Sequence, residues 1–207
     1  MNTAIRFIVT GMITSVAFCF ASLAQAAIFV KIPTIGGDVT GPDGRKDWFV
    51  ADNFSFGVER EMKESGEKGG TADINIGVGE LQECTISKSM DVATGALAQA
   101  AASGLTVGPA EICFADMPSD EGTPQCYLHY KLDRAFVKSW STSGDADDRP
   151  TEEVAFYYNK IAFGYVSTDE DGNEREGSMS WEDRKKQPWE EGLEDIFDII
   201  YGSGPPR

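Results

Sequence analysis

Histidine is almost absent from this sequence, because only His129 among 207 residues is a histidine, and four residues are cysteines. A serine or cysteine nucleophile needs a neighbouring base, and a zinc site needs several histidine or cysteine ligands. One histidine within a predicted strand and scattered cysteines supply neither arrangement. The acidic loops also lack the ligand spacing of a calcium-binding loop. The sequence therefore predicts no catalytic residue, no cofactor site and no metal site.

Paired carboxylates offer one further route to catalysis, since two of them facing one substrate can hydrolyse a glycoside. Glu152 and Glu153 are neighbours in a predicted strand. Successive strand side chains point to opposite faces, so the two carboxylates would not meet one substrate. We interpret both as strand-edge or subunit-contact residues, and the hydrolase hypothesis is left without a supporting pair.

Basic residues are also scarce, since 18 Lys and Arg stand against 34 Asp and Glu, for a formal net charge of −16. Nucleic acids and anionic membrane surfaces both bind proteins through basic surfaces. The composition therefore excludes nucleic acid and membrane as partners of the mature chain. It is typical of a soluble exported protein.

The long apolar run is confined to the start of the chain. Arg6 precedes a nearly uninterrupted apolar stretch, and Ala24-Gln25-Ala26 has the small-x-small pattern that signal peptidase accepts. Residues 1–26 are therefore predicted to be a signal peptide rather than a membrane anchor, and the protein to be periplasmic or extracellular. Cleavage would leave 17 basic and 34 acidic residues, a formal charge of −17.

Three cysteines remain after this cleavage and enter an oxidising compartment, where disulfides persist. Cys113 and Cys126 lie in neighbouring predicted strands, on either side of a turn-rich loop. Positions at equal distance from the centre of a hairpin face one another at a spacing that suits a disulfide. We predict a Cys113–Cys126 bridge. Cys84 is then a buried free thiol or, alternatively, an intermolecular link.

Two-residue periodicity dominates the mature chain, with apolar and polar residues alternating over 28–32, 54–58, 74–78 and 126–132. This pattern is typical of strands with one face toward a core. Only 91–103 and 188–201 have helical spacing, and Gly104 stands where a left-handed residue would end the first helix. The pattern predicts a compact antiparallel barrel or sandwich over 27–186, followed by an acidic amphipathic tail over 187–207.

Two motifs resemble those of the Hcp family of type VI secretion. The first is Lys46-Asp47-Trp48, followed by an aromatic strand. The second and more specific is Pro150-Thr151-Glu152-x-Val154, which continues through Tyr158 to Lys160-Ile161. Further agreement comes from the segments 87–91 and 180–183, so that the resemblance spans nearly the whole mature domain.

This resemblance implies a small antiparallel β-barrel with one flanking α-helix that closes into homo-hexameric rings. In the family such rings stack into tubes whose lumen can shelter effectors, so self, effectors and secretion-apparatus proteins are the implied partners. A loop reaches from each subunit toward the neighbouring ring. It corresponds here to 61–71, a polar stretch that we interpret as a long exposed loop containing Glu61, Lys63, Glu64, Glu67 and Lys68.

The signal peptide and the tail depart from the family pattern and leave alternatives open. The tail carries an apolar face of Leu193, Ile196, Phe197 and Ile200. This face either packs on the chain's own barrel or docks a neighbour or cargo. The rival to ring assembly is accordingly a monomeric secreted effector or adaptor that binds a protein partner without catalysis.

Overall fold

The computed structural model describes residues 25–40, 45–60, 62–64, 74–76, 78–117, 124–169 and 171–201. The predicted signal peptide lies outside these residues except for its last two positions. Of the predicted assembly loop, Glu61, Glu67 and Lys68 also lie outside them. None of the helices in the described part of the chain is long and apolar enough to cross a membrane.

The structure is built mainly from antiparallel strands with two helices. In chain order the strands are β1 (Gln25–Lys31), β2 (Phe49–Ala51), β3 (Asn53–Ser55), β4 (Val58–Glu59), β5 (Met62–Glu64), β6 (Ile74–Ile76), β7 (Glu80–Leu81), β8 (Cys84–Ser89), β9 (Thr106–Met117), β10 (Gln125–Ser143), β11 (Thr151–Tyr157), β12 (Lys160–Thr168) and β13 (Glu174–Glu182). The helices are α1 (Thr94–Ser103), between β8 and β9, and α2 (Glu190–Tyr201), after β13. The mainly β fold class is therefore confirmed.

Nine strands form one sheet, in which the path β2-β1-β9-β10-β11-β8-β3 carries β12 and β13 as a branch. The long strand β10 makes this branching possible, because its first half pairs with β12 and its second half with β11. The path begins and ends at strands separated only by Asp52, whose amide donates to the Ser87 carbonyl of β8 at 2.8 Å. The barrel is thus a curled sheet whose ladders stay open between β2 and β3.

The alternating strands place their apolar side chains inside this curl, which is the arrangement that period-two patterns favour. The largest fully buried apolar side chains are Phe49, Phe156, Ile32, Ile86, Leu97, Ile112, Leu132, Ile161, Ile196 and Val30. All but Ile196 belong to one continuous core, and Leu97 contributes to it from α1. The flanking helix therefore covers the barrel through a leucine in an otherwise small-residue helix.

The long loop predicted over 61–71 is partly strand. Val58 pairs with Leu81, and further out Met62 pairs with Ile76 and Glu64 with Ile74. The prediction of a plain loop over 61–71 was therefore wrong at Met62–Glu64, where the chain continues an extended β-hairpin. Glycines and charges made this stretch look like a loop, but alternate residues such as Met62 and Ile76 still allow ladder pairing.

The Cys113–Cys126 disulfide is present, with Cα atoms 5.6 Å apart. The predicted register of the hairpin was wrong, because Cys113 pairs with His129 and Cys126 with Ala115. A bulge between Cys126 and Leu128 shifts the pairing, so the bridge runs diagonally across two strands. Cys84 is buried and free, and burial raises the pKa of its thiol to about 12. Of the two alternatives for Cys84, a buried free thiol or an intermolecular link, the structure therefore shows the buried free thiol.

Candidate functional site

Most residues of the two family motifs are structural. Trp48, Val154, Tyr158 and Ile161 are buried, and only Lys46, Asp47 and Thr151 are exposed, while Pro150 and Lys160 are half-buried. The Tyr158 hydroxyl donates to the carbonyl of Gln82 at 2.6 Å and so ties β11 to the chain entering β8. Burial, with the nearby Cys84 and Asp183, raises the pKa of Tyr158 well above its ordinary value.

A fully buried lysine on β8 lies opposite Glu152 of the second motif. The side chain of Lys88 has no exposed surface, and its Nζ lies 2.8 Å from Oε1 of Glu152 and 2.7 Å from Oδ1 of Asp91. Nζ also donates to the Ser89 carbonyl at 2.8 Å and lies 5.5 Å from the centre of the Phe49 ring. A buried ammonium is tolerated only when its hydrogen bonds are met in this way.

Glu152 completes this network from β11. Its Oε2 accepts from the indole N–H of Trp140 at 2.7 Å, and its Oε1 accepts from the Thr94 hydroxyl at 3.1 Å. The carboxylate is therefore satisfied on both oxygens and its side chain is wholly buried. The interpretation of Glu152 as a strand-edge or subunit-contact residue was wrong, whereas Glu153 is exposed. Sequence patterns missed Lys88 as its partner because charged residues are rarely fully buried.

The same network fixes the start of α1. The carboxylate of Asp91 pairs with Lys88 and accepts from the amide of Ala93 at 2.8 Å, while the amide of Asp91 donates to the Thr94 hydroxyl at 3.0 Å. At the other end Gly104 takes a left-handed backbone, with φ of 64°, and its amide donates to the Ala100 carbonyl. The predicted end at Gly104 is confirmed. The helix is held rigidly on the barrel.

The outer surface of α1 is uncharged. No charged residue occurs from 92 to 110, although one quarter of the whole chain is charged. Val92 and Leu105, just beyond the two ends of the helix, are exposed by 68% and 69%, and between them the exposed residues are small or amidic: Gly95, Ala96, Gln99, Ala102, Ser103 and Gly104. We call residues 92–105 the α1 surface. It is an uncharged surface on a chain of high negative charge.

The tail helix α2 lies on the outer face of the sheet, against β10, β12 and β13. Ile196 is fully buried and packs with Ala162 and Trp189, and Leu193 and Ile200 are partly buried beside them. Gly164 allows this approach, because a Cβ there would lie 2.7 Å from Cγ2 of Ile196. The apolar face is thus covered by the chain's own barrel, and docking of a partner by these residues stays a prediction.

Replacing Gly164 by valine should loosen α2 and destabilise the protein by about 1–3 kcal/mol, the usual cost of overpacking. Gly177, in the adjacent strand β13, is the matched control, because a Cβ there has no neighbour within 4 Å. Denaturant unfolding measures the stability, and limited proteolysis between β13 and α2 measures the loosening. Equal effects from Gly164→Val and Gly177→Val would contradict the packing described.

His129 is a buried cross-strand residue. Its ring has no exposed surface, and Nε2 lies 3.7 Å from Oε2 of Glu111. The other oxygen of that carboxylate, Oε1, lies 3.5 Å from Nζ of Lys31. Burial alone would raise the pKa of Glu111, but its interactions with the neighbouring His129 and Lys31 hold that pKa below its ordinary value. Among the described residues no three His, Cys, Asp or Glu side chains are grouped so as to hold a metal ion.

Comparison with solved structures identifies the fold. The structure of a type six secretion system protein superposes with a TM-score of 0.68 at 24% identity, over 80% of this chain and all of that one. Hcp1 from Salmonella typhimurium gives a TM-score of 0.61 at 19% identity, over 81% of this chain and all of that one. A type VI secretion system effector from Yersinia pestis gives a TM-score of 0.54 at 16% identity, over 73% of this chain and 97% of that one.

No curated protein matches the sequence. The family model described as "Type VI secretion system effector, Hcp" matches residues 29–165, from β1 to near the end of β12. The match includes both motifs, the buried Lys88–Glu152 pair and the whole of α1, and it stops before β13 and the tail helix. The chain therefore belongs to the Hcp family of type VI secretion system effectors.

Proposed function

We propose that this protein is exported through its N-terminal signal peptide and assembles as homo-hexameric rings, a structural rather than catalytic role. The observation that carries the proposal is the α1 surface. At −17 per mature chain, copies repel one another wherever charges meet. An exposed and uncharged helix side, held rigid by a buried network, is the surface on which a second copy can pack at least electrostatic cost.

The position of α1 suits lateral packing. Its start lies beside the loop before β11, since the Met90 amide donates to the Pro150 carbonyl at 3.0 Å. Its end leads into β9 at Thr106, which pairs with Phe136 on β10. The helix therefore runs along the side of the barrel between its two ends. Side-to-side contacts of this kind generate a ring when the rotation closes.

The extended hairpin from β4 to β7 is the counterpart of the family's inter-ring loop. We include it in the proposal as the element that reaches the next ring, and with it the residues Lys63 and Glu64 of β5. Effectors and secretion-apparatus proteins are the further partners proposed. The proposed exported location rests on the signal peptide. It is tested by the mass of the protein recovered from the periplasm or medium, which should lack residues 1–26.

Native mass across a range of salt concentrations tests assembly. We expect a species near six subunits that becomes more abundant as salt rises, because screening shortens the range of charge repulsion to about 8 Å at physiological strength. Val92→Asp/Leu105→Asp should lower the association constant at least tenfold, about 1.4 kcal/mol. Val50→Asp is the control, since Val50 is exposed by 45% on β2 and lies outside the α1 surface.

Each contrary outcome has a distinct meaning. A monomer at every salt concentration would refute ring assembly and favour the monomeric adaptor. A hexamer that tolerates Val92→Asp/Leu105→Asp but not Val50→Asp would keep the ring and place its interface elsewhere than on the α1 surface. A hexamer indifferent to salt would refute the electrostatic part of the argument.

A further inference from the structure

A basic cavity lies beside the turn between β11 and β12, where β10 changes its pairing partner, although the chain as a whole is strongly acidic. Its volume is about 470 Å³ and its lining residues are Arg134, Asn159, Lys160, Glu182, Arg184 and Lys185. Four cations therefore face a single carboxylate. The lining comes from a bulge in β10, from the turn between β11 and β12, and from the basic run that follows β13.

Two of these cations have no acidic partner. Glu182 pairs with Lys185 at 3.1 Å, and Lys160 lies 3.9 Å from Asp133, but within the described part of the chain neither Arg134 nor Arg184 forms an ion pair. Arg134 also adopts a left-handed backbone, with φ of 52°, which is uncommon for a residue other than glycine. The bulge between Leu132 and Ala135 thus presents a guanidinium that the fold itself does not neutralise.

The cavity lies next to the end of β11, and acidic residues lie next to the start of that strand. Residues 145–148, which we call the acidic loop, contribute Asp145, Asp147 and Asp148 directly before β11, and all three are exposed. β11 then runs for seven residues to the turn at Asn159 that lines the cavity. At about 3.3 Å per residue the two features are separated by roughly 20 Å, so they cannot meet within one chain.

We propose that the basic cavity receives the acidic loop of a second copy of this chain. Arg134 and Arg184 would then pair with the aspartates, as guanidinium groups do with carboxylates. Because the two complementary sites are different surfaces of the chain, at opposite ends of β11, the contact is head-to-tail and can repeat from copy to copy. The proposal deepens the proposed self-assembly, since it names the residues through which one copy contacts the next.

Cysteine cross-linking tests the contact in the full exported protein. A Lys185→Cys variant and an Asp147→Cys variant are mixed and mildly oxidised, and the dimer is measured on a non-reducing gel. We expect a heterotypic dimer at least tenfold more abundant than the dimer from Lys185→Cys mixed with Glu153→Cys, in which the partner cysteine is on the exposed side of β11. Cys84 does not interfere, because it is buried.

Charge reversal provides the second test. Added to the Lys185→Cys variant, Arg134→Glu/Arg184→Glu should abolish the excess cross-linking with the Asp147→Cys variant, and adding Asp145→Lys/Asp148→Lys to that partner should restore it. All four side chains are exposed, so the folds should be unaffected. Cross-linking equal to the control pair would overturn the proposal. The proposal would also be overturned if inorganic phosphate bound in the cavity and no excess cross-linking occurred. The cavity would then be a site for small anions.

Native mass separates this contact from the ring. A species near six subunits without the cross-link would leave the proposed ring standing and refute the head-to-tail contact. A monomeric native mass with a strong heterotypic cross-link would refute the ring and support the head-to-tail contact.

Discussion

Replacing Glu152 by alanine should lower the free energy of unfolding by about 3–5 kcal/mol, the largest effect expected of a single substitution outside the apolar core. The variant leaves the ammonium of Lys88 buried with only Asp91 opposite it. It also removes the acceptors of the Trp140 indole and the Thr94 hydroxyl. Groups that are buried without partners cost more than the original interaction contributed. Denaturant unfolding measures the difference.

Two further variants make this result specific. Glu153→Ala removes the adjacent but exposed carboxylate and should change stability by less than about 0.5 kcal/mol. The triple variant Lys88→Met/Asp91→Asn/Glu152→Leu removes the lysine together with both of its carboxylate partners and should recover more than half of the loss, since replacement of a complete buried ionic group is often close to neutral. A loss of less than 1 kcal/mol in Glu152→Ala would show that Asp91 alone satisfies the lysine.

Removing the Cys113–Cys126 bridge should cost about 3 kcal/mol, the stabilisation expected of a disulfide that closes a loop of this length. The two cysteines are 13 residues apart, and Cys113 packs with Phe29, Trp48 and Ala115 in a small buried cluster. Alanine replaces both cysteines, since a serine hydroxyl would be buried at Cys113. Thermal unfolding of Cys113→Ala/Cys126→Ala against wild type gives the difference.

Reduction offers the matched control for the bridge. A reducing agent should lower the midpoint of wild type and leave the Cys113→Ala/Cys126→Ala variant unchanged. The remaining thiol of Cys84 should not take part, because burial raises its pKa to about 12 and so keeps it protonated at neutral pH. A wild-type midpoint insensitive to reduction would contradict a stabilising role for the bridge.

The parts of the fold that follow from local patterns were predictable from the sequence. Alternation identified the strands around Ile28 and Leu128, because one-sided burial demands a period of two. Gly104 ended α1 as predicted, since a left-handed position at a helix end favours glycine. The disulfide was also predictable, because the short loop between Cys113 and Cys126 leaves few ways to pair three cysteines.

The rest depended on contacts between distant segments. The bulge beside Cys126 changes the register of β9 and β10, and local patterns carry no information about a single extra residue. Lys88 and Glu152 are 64 positions apart, and each on its own has the composition of a surface residue. Nor does the sequence show that Gly164 meets Ile196. That contact decides where α2 packs, and it exists only after the sheet has formed.

The length and position of β10 bear on how the molecule responds to force. This strand is hydrogen-bonded to β9 on one side and to β12 and then β11 on the other. In antiparallel ladders the hydrogen bonds lie perpendicular to the strands. A force along β10 therefore loads many of these bonds at once. A force that peels off an edge strand such as β13 breaks them one after another. The molecule should be mechanically strongest along β10, which is also the direction from the acidic loop to the basic cavity.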